Sequence, residues 1–135
     1  MNDRPGEELP LQSDEDIVRA RQVTRTWALD LGFSLVDQTK IVTAASELAR
    51  NTVIYGGGGT LRLELANEGG RRGLRMTFRD GGPGIPDIQL AMRDGFTTGT
   101  GLGLGLGGAR RLMSELTVAS PPGEGTTISA VRWKS

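Results

Sequence analysis

The sequence predicts a two-layer α/β sandwich, with helices on one face of a mostly antiparallel sheet. Three observations predict it. Two long stretches with helical spacing of apolar residues open the chain, up to Leu31 and from Leu35 to Tyr55. Two pairs of alternating strand patterns follow, each pair joined by a turn. Between the pairs lies a glycine-rich stretch, Asp80 to Gly108, out of which a last helix starts.

Residues 1–12 read as a mobile, polar tail, with room for a short edge strand at Leu9–Gln12. Ser13 has the chemistry of a helix N-cap, and Asp14, Glu15 and Asp16 fill the first turn, where carboxylates meet the positive end of the helix dipole. Ile17, Ala20, Val23, Thr24, Trp27, Ala28 and Leu31 recur at helical spacing, and Gly32 ends the helix. In the second helix Ile41, Ala45, Leu48 and Thr52 form the core stripe. Glu47 and Asn51 stack one turn apart on the neighbouring stripe, at the edge of the buried face. The run Gly56 to Gly59 stops this helix.

Leu61, Leu63 and Leu65 alternate with charged residues, as do Leu74, Met76 and Phe78 with polar ones. With a turn over Asn67–Arg72, this predicts a hairpin with one buried face. The second strand ends at Asp80, directly before Gly81-Gly82-Pro83-Gly84. Asp87–Arg93 reads as a short helix. Leu102, Leu106, Ala109, Met113 and Leu116 recur at helical spacing and predict the last helix. Closing strands follow near Leu116–Ser120 and Thr126–Trp133, around the turn Pro121 to Gly125.

Composition removes several function classes. Sixteen basic and sixteen acidic residues leave no net charge, which argues against a nucleic-acid partner. With no cysteine there is no disulfide, thiolate metal site or cysteine nucleophile. With no histidine there is no Ser-His-Asp triad and no phospho-histidine on this chain. The first ten residues lack the apolar core of a signal peptide, and no apolar run is long enough to span a membrane. A cytoplasmic protein is expected, whose chemistry rests on carboxylates, amides, hydroxyls and glycine backbone.

Ten of the twenty-one glycines lie between Asp80 and Gly108. Closely spaced glycines let successive N–H groups face one anion, and a helix that opens from them adds its partial positive charge. Leucines rather than serines stand between them, which argues against a linker. The stretch therefore suits a phosphate. A dinucleotide fold needs Gly-x-Gly-x-x-Gly after a strand. Here the glycines alternate strictly and no clear strand precedes them.

Three segments now stand in order: Glu47-Leu48-Ala49-Arg50-Asn51, Asp80-Gly81-Gly82-Pro83-Gly84 and Gly101-Leu102-Gly103-Leu104-Gly105. On this sequence of elements they resemble the ATP-binding fold shared by gyrase, Hsp90, histidine kinases and MutL. The resemblance runs from Ser13 onward, and implies one ATP-binding kinase domain over residues 13–135. More narrowly, these segments with Asp94-Gly95-Phe96-Thr97-Thr98 resemble the serine/threonine kinases of bacterial partner-switching systems. The short stretch from Thr98 to Gly101 is similar to the switch kinases of stressosomes, since the related anti-sigma kinases carry a longer lid there.

The resemblance implies ATP and Mg2+ as ligands. It makes Asn51 the magnesium ligand and Asp80 the acceptor for the adenine amino group. It sets Gly82 and Gly84 against the nucleotide, and puts Gly101, Gly103 and Gly105, with Leu102 and Leu104 between them, at the phosphates. Thr126 would join the water network at the adenine, and Glu47 would be the general base. The implied substrates are STAS-domain scaffold and antagonist proteins, and the implied target of the released kinase is a PP2C-type phosphatase. The alternative within the same fold is an anti-sigma factor or a binding module that uses nucleotide only to set its shape.

Overall fold

The computed structural model describes residues 4–82, 106–121 and 123–134. The described elements run β1 (Glu7–Leu11), α1 (Asp14–Asp30), α2 (Leu35–Ile54), β2 (Gly59–Glu68), β3 (Arg71–Asp80), α3 (Leu106–Leu112), β4 (Glu115–Ala119) and β5 (Thr126–Trp133). The strands form one sheet in the order β1-β2-β3-β5-β4, and each neighbouring pair is antiparallel. Helix α2 packs between α1 and α3, and the helices form the second layer. The predicted fold class holds.

Helix α1 starts where its cap chemistry dictates. Ser13 is extended, and its Oγ accepts a hydrogen bond from the Asp16 N–H. Asp16 reaches back to the Gln12 N–H at 2.8 Å. The first bond satisfies a first-turn N–H that a helix cannot satisfy itself, and the second ties down the residue before the cap. At the far end Gly32 takes a positive φ of 86°. The Phe33 N–H then donates to Ala28 O, and that of Gly32 to Leu29 O, the paired closure of a Schellman end. Ser34 caps α2 in the same way as Ser13 caps α1, through the Asp37 N–H.

Strands β2 and β3 turn through two residues only. Glu68 pairs with Arg71, and Gly69 and Gly70 both have positive φ. Two left-handed residues match the twist of the flanking strands, so the strands continue to the turn itself. The hairpin is therefore longer than a turn over Asn67–Arg72 would allow.

The core lies between the sheet and the helices. Trp27, Phe78, Leu11, Ile41, Leu48, Leu61, Leu63, Leu74, Met76 and Leu106 are fully buried. Each such side chain is worth about 1.5–3 kcal/mol in transfer free energy. The predicted stripes of α1 and α2 face it, with Ile17, Val23 and Leu31 packed at its margin. Leu65 is half-buried. Leu116 is not the last residue of α3. It pairs with Ala130 as part of β4, so its helical spacing from Met113 is fortuitous. The predicted helix Asp87–Arg93 lies outside the described residues.

The edge strand expected at Leu9–Gln12 forms over Glu7–Leu11, so the tail is shorter than residues 1–12. Glu7–Leu11 pairs with Leu63–Gly59 on the edge of the sheet, and Leu9 and Leu11 are buried. Alternation is the reason: Leu9 and Leu11 point into the core while Glu8 and Pro10 stay exposed. The Trp27 indole N–H donates to Glu7 at 2.8 Å. Arg4 lies 3.7 Å above the Trp27 ring and pairs with Asp30.

Candidate active site

Asp80 ends β3, with Gly59 of β2 on one side and Thr126 of β5 on the other. It extends the alternation of Leu74, Met76 and Phe78, so its side chain emerges on the helical face just past the core. There its Oδ1 accepts hydrogen bonds from the Gly82 N–H at 2.9 Å and the Thr126 N–H at 3.2 Å. A carboxylate gripped by two N–H donors has its rotation set, and it remains an acceptor only.

Thr126 is also at the end of the core, and is only 6% exposed. Its hydroxyl lies 2.9 Å from that of Ser120, across the β4–β5 turn. Ser120 further bonds to Gly125 O. Gly125 has φ 79°, and a Cβ there would collide with the carbonyl oxygen of Asp80. The turn thus presses closely on the end of β3, and only glycine fits.

The C-terminal turn of α2 closes on the same place. The Tyr55 and Gly56 N–H groups both donate to Asn51 O. Gly57 and Gly58, with φ of 72° and 104°, reverse the chain into β2. This brings Gly56 against Asp80 and Gly82: a Cβ on Gly82 would stand 2.9 Å from the Cα of Gly56. Asn51 and Asp80, distant in sequence, are therefore joined through one glycine turn. The Asn51 side chain is buried, at 6% exposure.

Glu47, one turn before Asn51, is half-buried. It borders a groove of about 330 Å3 between α1 and α2, with Arg21, Arg25, Thr39, Val42, Thr43 and Ser46. So the described residues form one cluster at Asp80, Gly82 and Thr126, and a helix edge at Glu47 and Asn51. Gly84, Gly101, Leu102, Gly103, Leu104 and Gly105 lie outside the described residues. Sequence reasoning missed Gly56, Gly125 and Ser120. Gly56 and Gly125 were visible only as turn-formers, and nothing in the spacing of Ser120 marks it as the partner of Thr126.

Residues 36–134 match the family described as histidine kinase-, DNA gyrase B-, and HSP90-like ATPase. The chain belongs to that family. Within it, the chain is 50% identical over 123 residues to "Serine/threonine-protein kinase RsbT" of Bacillus subtilis (strain 168), covering 91% of this chain and 92% of that protein. It is 32% identical over 116 residues to "Anti-sigma F factor" of Geobacillus kaustophilus (strain HTA426), covering 81% and 78%. Among solved structures it superposes on the RsbU and RsbW domains of Rv1364c from Mycobacterium tuberculosis, with TM-score 0.65 and 21% identity. That match covers 98% of this chain and 34% of that one, so the chain spans about a third of it. The family and the kinase relative make this an ATP-using serine/threonine-protein kinase of the RsbT type. Among the described residues no helix is long and apolar enough to cross a membrane.

Proposed function

We propose that this kinase phosphorylates a Ser or Thr of STAS-domain partners in a cytoplasmic stress-response switch, and that the released kinase binds and activates a PP2C-type phosphatase. The observation that carries the nucleotide side of this reading is Asp80. Its acceptor-only carboxylate, set by Gly82 and Thr126, suits the amino group of adenine and disfavours the carbonyl oxygen of guanine at that place.

Asn51 fits a magnesium ligand by its chemistry. It is a neutral oxygen donor, and the described residues hold no acidic cluster that could bind a cation without the nucleotide. Bound Mg2+ would neutralise charge that gathers on the phosphates during transfer. The chain's own residues do the rest. Asp80, Gly82 and Thr126 hold the base, and Gly84 is the further glycine that the family resemblance assigns to the nucleotide. Gly101, Gly103 and Gly105, with Leu102 and Leu104, hold the phosphates through their N–H groups. Glu47 receives the proton of the acceptor hydroxyl, which reaches it along the open groove beside Arg21 and Arg25.

The anti-sigma relative keeps a second reading in view, in which nucleotide only sets the shape of a binding module. Incubation with labelled ATP, Mg2+ and a STAS-domain partner separates the two. The expected outcome is phosphate on one mapped Ser or Thr of the partner. Nucleotide-dependent binding to a sigma factor with no transfer would replace the first reading by the second.

A further inference from the structure

Two hydroxyls meet across the β4–β5 turn, next to the end of β3. Ser120 Oγ lies 2.9 Å from Thr126 Oγ1 and 3.4 Å from the carbonyl oxygen of Gly125. A hydroxyl has one proton to give and two lone pairs. A carbonyl has no proton to give, so the Ser120 proton goes to Gly125 O. The 2.9 Å bond then takes its proton from Thr126. With that proton turned to Ser120, Thr126 Oγ1 has only lone pairs for a further partner. The backbone N–H of Thr126 is committed as well, to Asp80 Oδ1 at 3.2 Å. Thr126 is buried and Ser120 half-buried, so water competes little for this arrangement.

We propose that Ser120 is a positioning residue for base recognition, which acts by fixing the direction of the Thr126 proton. This rests on the reading of Asp80 and Thr126 as the groups that face the base. The Asp80 carboxylate offers acceptors only, and Ser120 makes the Thr126 hydroxyl an acceptor too. Adenine presents an amino group to such a site, and guanine presents a carbonyl oxygen that finds no donor. Removal of the Ser120 hydroxyl would return one proton to the site, directly or through a water that Thr126 shares with the base. The guanine oxygen is the group that would use it.

The test is calorimetric titration with Mg-ATP and Mg-GTP of the wild type, Ser120→Ala, Ser120→Thr, Thr126→Val and the double variant Ser120→Ala/Thr126→Val. The wild type should prefer ATP. Ser120→Ala should bind GTP more tightly by roughly three- to tenfold, the worth of one hydrogen bond, with a smaller change for ATP. A merely loosened turn would weaken both nucleotides alike. Ser120→Thr keeps the hydroxyl and should retain the wild-type ratio of ATP to GTP affinity. Thr126→Val should lower that ratio. In the Thr126→Val background, adding Ser120→Ala should change the ratio less than about twofold, since no proton remains to redirect. A wild type without preference for ATP, or an unchanged ratio in Thr126→Val, would overturn the reading of the base site and the inference with it. A lowered ratio in Thr126→Val beside an unchanged one in Ser120→Ala would overturn the inference alone. So would an equal loss for both nucleotides in Ser120→Ala, or a ratio in Ser120→Thr as low as that of Ser120→Ala.

Discussion

Thr24 carries a fully buried hydroxyl with no hydrogen-bond partner among the described residues. A helical threonine commonly bonds a carbonyl of the preceding turn, as Thr52 does to Leu48 O at 3.0 Å. Without such a bond the hydroxyl loses its water and gains nothing. Thr24→Val keeps the shape and removes the oxygen, so it should raise stability by about 1 kcal/mol in urea unfolding. A loss of stability would show that the hydroxyl is satisfied in solution. Glu47, proposed as the general base, presents the opposite case. Glu47→Gln should leave ATP affinity near the wild-type value and slow single-turnover transfer by roughly 10²–10⁴-fold. Near-normal transfer in that variant would remove Glu47 from the base role. At this scale the sequence was informative about residue type. Asp80 and Thr126 could be named from it, but the hydrogen bond between them joins residues 46 apart and only the sheet creates it.

Strand β1 shows what an element gains from its neighbours. Glu7–Leu11 is short, and holds Pro10 and two acids, a weak strand by propensity. It forms because β2 offers an edge and the core offers space to Leu9 and Leu11. Leu11→Ala should therefore cost about 2–5 kcal/mol, the range for a fully buried leucine. A change below about 0.5 kcal/mol would return these residues to the status of a tail. Next to the opposite edge strand, Arg132 of β5 joins two helices to the sheet. Its guanidinium donates to Leu112 O at the end of α3 and to Asp37 in the first turn of α2, at 3.0 and 2.8 Å. The pair is only one-fifth exposed, so it is screened less than a surface pair. Arg132→Ala should cost about 1–3 kcal/mol, by leaving Asp37 and the Leu112 carbonyl half-paired. Thermal or urea unfolding with no shift would show that water replaces the guanidinium at no cost.

As a whole molecule, the protein draws the residues proposed for the nucleotide from three separate elements. Asn51 comes from α2, Asp80 from β3 and Thr126 from β5, while Glu47 opens towards the groove between α1 and α2. The segment from Asp94 to Thr100 contains two glycines and one large apolar residue, Phe96, too little apolar surface to enclose a nucleotide by its own packing. On the proposed function, a docked protein partner would complete the site, exclude water and set its hydroxyl in line with the terminal phosphate. ATP affinity should accordingly rise when a STAS-domain partner with Ala at its acceptor position is added, because coupling between two ligands is reciprocal. ATP hydrolysis by the isolated kinase should be very slow. Unchanged affinity together with rapid turnover by the isolated kinase would mean that the site closes unaided.

By itself the sequence determined the layers, the order of the described helices and paired strands, and the residue types proposed for the chemistry. Periodicity and capping are local properties: Ser13, Gly32 and the stripe through Ile41, Ala45 and Leu48 act within a few residues of themselves. Tertiary structure decided what depends on distant partners. It decided for Leu116 between the helical stripe and the closing strand, both of which the sequence offered, because the edge of β5 binds its backbone. It drew β1 into the sheet, because burial of two leucines outweighs poor strand propensity. It set Gly56 against Asp80, because close approach of two backbones leaves no trace in the spacing of either segment.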